Sequence, residues 1–321
     1  MVAPVSPSAD VPVVAEVVRS GFVESRHRGS VVAVGPDGTV LWEVGPVGLP
    51  IYPRSSNKPL QATAMVRNGL PLRGRLLALA CGSHSGESEH ITGVREILTS
   101  AGLDESALQT PADYPLDELA REDWIRGGGR REPIAMNCSG KHAGMLATCT
   151  ANGWDTDDYL RADHPLQARI VDVFAELTSE RVDRIGVDGC GAPLLATSLV
   201  GLARAFSRLV QAPAESPEGA VAAAIAGDPV MVSGSRRDEP PLLRALPGSI
   251  GKSGAEACHA FALRDGTAVA LKIEDGADRA RPVVLAAALR RLGHDADVLE
   301  QMGRPRVLGG GQPVGEVRAT F

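Results

Sequence analysis

Ser55 and Lys58, in Arg54-Ser-Ser-Asn-Lys-Pro-Leu-Gln61, stand three residues apart. Helical positions i and i+3 share a face, so at this spacing a lysine amine reaches a serine hydroxyl. The hydroxyl becomes a nucleophile only when a base takes its proton, and a neutral lysine is such a base. S-x-x-K is also the pattern of active-serine acyltransferases and hydrolases. Pro59 fits a helix only in its first turn, which puts Ser55 at the positive end of the helix dipole. The same residues fit a plainer role, with Ser55 or Ser56 capping a helix and Lys58 solvated.

Three further segments carry reactive types. Gly251-Lys-Ser-Gly254 echoes the K-T-G element that accompanies S-x-x-K, and Lys252 near Lys58 helps keep that base neutral by like-charge proximity. Alone, the segment fits a flexible Gly-Ser loop with an exposed lysine better. Cys81-Gly-Ser-His-Ser-Gly-Glu87 offers Ser83 or Ser85 as a proton relay and His84 as a general base; helix capping is the other use of Ser85. Cys138, Lys141 and His142 lie in Asn137-Cys-Ser-Gly-Lys-His142, and Cys190 in Val187-Asp-Gly-Cys-Gly191. Thiolates beside a histidine bind zinc or form a nucleophile pair, although neither segment has C-x-x-C spacing. Cys81, Cys149 and Cys258 fit inert core thiols.

These residues need a frame. Val31–Val34 and Thr39–Val44 flank the turn Gly35-Pro-Asp-Gly38, a hairpin signal. Cys258–Leu263 and Thr267–Ile273 flank Arg264-Asp-Gly266 in the same way, and a short strand around Val314–Arg318 closes the chain. Between them, Leu166, Ile170, Val173, Phe174 and Leu177 form a helical stripe behind Pro165, and Ile91, Val94, Ile97 and Leu98 another. Further helices are expected over 143–152, 194–209, 217–226 and 279–292. Strands at both ends with helices between predict an α+β fold: an antiparallel sheet made by the terminal hairpins, with flanking helices. The stretch 104–136 is the longest predicted irregular region, a surface loop. Residues 1–12 are expected to be a flexible tail and 13–321 a single catalytic domain.

Composition narrows the function. With 33 basic against 39 acidic residues the net charge is −6, which argues against nucleic-acid or membrane-surface partners. Five Phe, three Tyr and three Trp are too few to build a base-stacking platform. Five scattered cysteines make a disulfide framework unlike this chain. No secretory signal or membrane-length apolar run is read, so the expected location is the cytoplasm. A homodimer is the expected assembly, from the commonness of that state.

Taken together, the motifs resemble the asparaginase II family, the rhizobial-type L-asparaginases. The resemblance runs from Val23-Glu-Ser-Arg-His-Arg-Gly-Ser30 through the serine, Gly82–Glu87, Asn137–His142, Gly186–Gly191 and Gly251–Glu256 segments to Leu271–Gly276 and Val314-Gly-Glu316. It implies a fold similar to serine β-lactamases and glutaminases and hydrolysis of L-asparagine to aspartate and ammonia. It implies catalytic roles for Ser55, Lys58, Ser83 and Lys252, with Ser85 and Lys272 as competitors for the last two. It also implies a zinc site made by Cys138, Lys141 and Cys190. The zwitterionic substrate needs binders of both signs: Arg54 and His142 suit its carboxylate, Asp188 its ammonium, and Glu256 joins this substrate-binding set. The rival readings are a penicillin-recognising-type hydrolase or esterase, a metal-hydroxide amidase, and an inactive amino-acid-binding domain.

Overall fold

The computed structural model describes residues 11–321. Residues 1–10 of the expected tail lie outside the described residues. Val11 is buried, and its carbonyl accepts from the Arg28 guanidinium at 2.6 Å. The strands are β1 (Val13–Arg19), β2 (Phe22–Val34), β3 (Val40–Val44), β4 (Ile185–Val187), β5 (Pro193–Leu195), β6 (Ile250–Gly254), β7 (Cys258–Ala262), β8 (Ala268–Ile273), β9 (Arg306–Gly309) and β10 (Gln312–Ala319). Eight of them form one sheet in the order β6-β7-β8-β2-β1-β10-β9, with β3 also on β2. Pairing is antiparallel throughout. The two ends of the chain meet as expected: Val31 lies opposite Leu271, and Val17 opposite Val317. The α+β fold with a terminal-hairpin sheet is therefore the observed one.

Val31–Val34 and Ala268–Leu271 are buried consecutively, so the middle of the sheet is covered on both faces. The helices Leu199–Gln211 and Arg281–Arg291 pack on it. The remaining helices form a second body beyond β6. Its centre is the helix Lys58–Arg67, which packs against Ser139–Asn152, Pro165–Thr178 and Pro217–Gly227. Residues 58–65 of that helix are buried without a break, so it has no polar face for a helical period to mark. No helix among the described residues is long and apolar enough to cross a membrane.

Several element expectations need correction. The stretch 104–136 holds a helix, Glu118–Arg126, and a bridge between Asp113 and Glu132. The Asp117 side chain caps that helix by accepting from Ala120 N–H, and Leu119 and Ile125 are exposed, so its apolar stripe is weak. The helix expected over 194–209 begins at Leu199, because 193–195 is spent in β5. Lys252 is on strand β6 rather than in a loop. The helix after the Cys81 segment is capped by Glu87 with His90, and Ser85 instead donates to the Ser233 carbonyl at 2.9 Å.

β6 is an edge strand, and the short 3₁₀ turn Arg54–Asn57 lies against it. At Gly254 an added Cβ would stand 2.4 Å from the Pro53 carbonyl oxygen and 2.9 Å from Ser56 N, both backbone atoms that cannot step aside alone. At Gly48 nothing lies within 4 Å of an added Cβ. Gly254→Ala is expected to lower stability by about 1–3 kcal/mol, the usual cost of overpacking. Gly48→Ala should stay within about 0.5 kcal/mol of the parent. Urea unfolding of both variants checks this, and equal effects would show that β6 does not clamp the turn.

Candidate active site

The helix Lys58–Arg67 opens with Lys58 and carries Pro59 in its first turn, where proline loses no helical hydrogen bond. The turn ahead of it contains Ser55. Its neighbour Arg54 has φ +52°, a left-handed value that a non-glycine residue rarely adopts, which fits strain kept at a functional turn. Ser55 is half-buried, and Lys58 fully buried.

The Lys58 amine is the hub. It donates to the Gly82 carbonyl at 2.6 Å, to Ser83 Oγ at 2.7 Å and to Cys138 Sγ at 3.1 Å. Ser83 is fixed from the other side by its backbone N–H on the Val232 carbonyl at 2.9 Å. Among the described residues no hydrogen bond joins Ser55 Oγ to Lys58, whose amine is turned toward Ser83. Lys252 is buried on β6, near enough to sense the Lys58 charge. Burial pushes the Lys252 ammonium down to about 7, with Glu239 opposing the fall and Lys58, Arg237 and Arg281 adding to it. Lys272 stands elsewhere: its amine donates to the Glu256 carbonyl at 2.6 Å and lines a neighbouring cavity. That cavity, of about 320 Å³, is walled by Ile51, Tyr52, Arg184 and Leu199 among others and touches none of Ser55, Lys58, Ser83 or Lys252.

His84 is buried beside this hub but engaged differently. Ser139 gives its hydroxyl proton to the Ile134 carbonyl, so His84 Nε2 is the donor in the 2.9 Å bond between them. Burial, His90 and Lys58 hold its ring neutral. Neither ring nitrogen is bonded to a serine of the proposed relay.

Cys138 precedes the helix Ser139–Asn152, and Lys141 and His142 follow one turn later. Cys190 reaches the same place from the turn between β4 and β5. The Lys141 amine donates to Cys190 Sγ at 3.2 Å, and both residues are buried. Interaction with Cys138 drives the Cys190 thiol far down against the effect of burial, with Lys141 and His142 assisting; Cys138 is pushed up as the proton-bearing partner. Lys141 and Cys190 thus form a buried polar pair in which the cysteine is pushed toward its thiolate form. Burial alone would discharge Lys141, but Cys190, Cys138 and Asp188 hold its pKa above the ordinary lysine value. His142 is neutral, lowered by burial to about 4. The Tyr159 hydroxyl accepts from Gln109 N–H at 3.3 Å and donates to His142 Nδ1 at 2.7 Å, which leaves the imidazole proton on Nε2. Among the described residues His142 Nε2 has no hydrogen-bond partner, and no three His, Cys, Asp or Glu side chains are grouped as a metal cage.

Arg54 and Asp188 meet each other: Arg54 Nε lies 2.7 Å from Asp188 Oδ1, with Glu256 Oε1 3.9 Å from the same guanidinium. Arg54, Asp188 and Glu256 thus form one cluster beside Ser55, while His142 is fully buried and bonded to Tyr159. Ser56, a candidate helix cap, makes no capping bond: its Oγ lacks a partner among the described residues, as do Asn57 Nδ2 and Gln61 Oε1, buried polar atoms that the sequence reading passed over. Tyr159 and Glu239 were also passed over. Asn57 and Gln61 lay inside the motif itself, and polar residues on a wholly buried helix were the available signal.

Comparison with known proteins follows this geometry. No curated protein matches the chain significantly. Among solved structures it is similar to a β-lactamase from Mycobacterium bovis, at 16% identity and TM-score 0.47, over 82% of this chain and 94% of that one. It is similar to EstCE1, a hydrolase with promiscuous acyltransferase activity, at 12% identity and TM-score 0.44, over 78% and 91%. Mglu in its native form aligns at 14% identity and TM-score 0.47, over 89% of this chain and 68% of that one. The family model described as L-asparaginase II matches residues 15–319, a span that holds the serine turn, both lysines and both cysteines. The chain belongs to the L-asparaginase II family.

Proposed function

We propose that this hydrolase-family chain is an L-asparagine amidohydrolase working through an acyl-enzyme on Ser55. The observation that carries the reading is the Lys58–Ser83 bond of 2.7 Å at the head of the helix that follows the Ser55 turn. In this scheme Ser55 Oγ attacks the side-chain carboxamide carbon, and its proton passes to Lys58 with Ser83 as relay. The C–N bond then breaks, the proton returns to the leaving nitrogen, and ammonia departs. Water attacks the Ser55 ester, and aspartate is released. Lys252 supplies a second buried amine to this centre. Arg54 and Asp188 are matched to the substrate carboxylate and ammonium, so binding exchanges their mutual ion pair for pairs with the zwitterion.

Two buried thiols and the Lys141 amine form a donor set of the kind zinc takes, so the residues fit that metal. Cys138, Lys141 and Cys190 are the residues that would hold it. Its chemistry there would be electrostatic, a cation in place of shared protons that ties the Cys138 helix start to the Cys190 turn. Ligation requires deprotonated cysteines and a neutral lysine, so metal affinity should fall as pH falls.

Ammonia release from asparagine and glutamine tests the reading. Ser55→Ala is expected to lower kcat by about 10³-fold or more while the protein stays folded, in line with loss of a nucleophile that acts as part of a unit. Near-normal release by that variant would sink the scheme. Faster turnover of a chromogenic β-lactam than of asparagine would favour the penicillin-recognising alternative. In a separate measurement, purified protein should carry zinc that is lost in Cys190→Ser, and chelation should weaken KM more than kcat. Abolition of kcat by chelation, with Ser55→Ala mild, would instead indicate a metal-hydroxide amidase.

A further inference from the structure

We propose that Glu239 is a positioning residue for this centre, holding Lys252 in place through Ser253. The proposal rests on the Ser55–Lys58 reading above and assigns to it a residue that no motif contains.

Glu239 begins the helix Glu239–Ala245, which packs on β6, and it is 1% exposed. The Ser253 hydroxyl donates to Glu239 Oε1, and the Ser253 carbonyl accepts from the Lys252 amine. One residue thus links the buried carboxylate to the buried lysine: its side chain is held by Glu239, its main chain holds Lys252. Adjacent strand residues point to opposite faces. Ser253 therefore faces its register partner His259 on β7, while Lys252 turns to the other side. Glu239 Oε2 has no hydrogen-bond partner among the described residues, and the closest cation on it is Arg237 Nε at 3.8 Å.

A buried carboxylate is costly unless charge is supplied nearby. Here the supply is Arg281, 2% exposed, which donates to both Asp238 oxygens at 2.9 Å and to His259 Nδ1 at 2.8 Å. Burial pushes Glu239 up, but Arg281, Lys252 and Arg237 outweigh it and hold the carboxyl well below its usual range. Satisfying one serine hydroxyl needs only an amide.

The charged and titratable groups around Lys252 are Lys58 on the serine helix, Cys81 at the end of Gly74–Ala80, and Glu239 with Arg237 ahead of its helix. Arg281 and the neutral His259 complete them. Among the groups acting on Lys252, Glu239 is the one that favours its charged form, and burial and the cations oppose it. Because Lys252 stands near neutrality, removing this carboxylate moves its titration to lower pH. Activity that needs a charged Lys252 is lost as pH rises through that value, so the alkaline limb of the rate profile moves with it.

The test compares wild type, Glu239→Gln, Glu239→Asp and Ser253→Ala. Each is assayed for ammonia release across the neutral range and by NMR titration of the Lys252 side-chain carbon in lysine-labelled protein. Glu239→Gln keeps an acceptor for Ser253 and removes the charge. Its alkaline limb and the Lys252 titration should both move down by about one pH unit or more, with KM little changed. Glu239→Asp should restore most of the shift. Ser253→Ala removes the tether, so kcat should fall about tenfold while the limb stays in place. A folded Glu239→Gln with both titrations unmoved overturns the proposal. If that variant does not fold, an unchanged kcat in Ser253→Ala overturns it instead. Absence of amide hydrolysis in wild type counts against the asparaginase reading alone, since the NMR titration needs no turnover.

Discussion

A lysine amine buried to 1% exposure must have its hydrogens taken up, and that requirement organises the centre of this protein. Lys58 meets it with three acceptors drawn from separate parts of the chain: Gly82 and Ser83 from one loop, Cys138 from the start of a distant helix. None of these partners is local. The amine can be satisfied only when the Lys58 helix, the 82–83 loop and the Cys138 helix are all in position, so its satisfaction and the assembly of the site are the same event. Small residues make the approach possible. A Cβ at Gly82 would stand 2.6 Å from the Val232 carbonyl oxygen, and one at Gly140 2.8 Å from that of Leu79.

The sheet contributes from the opposite side. β6 is both the edge of the sheet and the wall against which the Ser55 turn sits, so the same five residues end the sheet and carry Lys252 into the helical body. An edge strand normally presents unpaired backbone groups to solvent. Here every residue of β6 is buried, because the serine turn and the helices Glu239–Ala245 and Pro217–Gly227 cover it. The cover and the active centre are one structure, which explains why Lys252 is buried at all and why its charge is contested.

How much of this could be read from the chain depends on where the information resides. The two terminal hairpins were legible because β-prone apolar runs flank glycine turns, and both are found in the sheet. β6 was not, since Ile250-Gly-Lys-Ser-Gly254 has two glycines and a lysine where strand residues are usual, and it is held by tertiary cover alone. The helix Glu118–Arg126 was missed for the converse reason: it is local and capped, but it buries none of its residues, so no stripe appears. At the site, residue types in order along the chain indicated Ser55, Lys58, Ser83 and Lys252. They could not indicate that Lys58 faces Ser83, or that Arg54 and Asp188 meet each other, because those are pairings across 25 and 134 residues.

The buried contact between the Lys141 amine and the Cys190 sulfur raises the question of why such polar groups are kept. Burying polar groups costs free energy even when they are partnered, and apolar residues of similar volume commonly do as well or better. Stability is therefore a poor account of the pair. Its position offers a better one: Cys138 Sγ accepts from Lys58, and Cys138 and Cys190 push each other's thiol in opposite directions. Charge at the cysteines and charge at the Lys58 amine are thus linked through one sulfur. Asp188 extends the link outward, since it stands two residues before Cys190 and pairs with Arg54 next to Ser55. Charge arriving at Arg54 and Asp188 alters the field at Cys190, and whatever sits between the two thiols alters the field at Lys58. A polar core of this kind weakens the interior, yet it places the Arg54–Asp188 pair, the cysteine pair and the Lys58 amine within one electrostatic system.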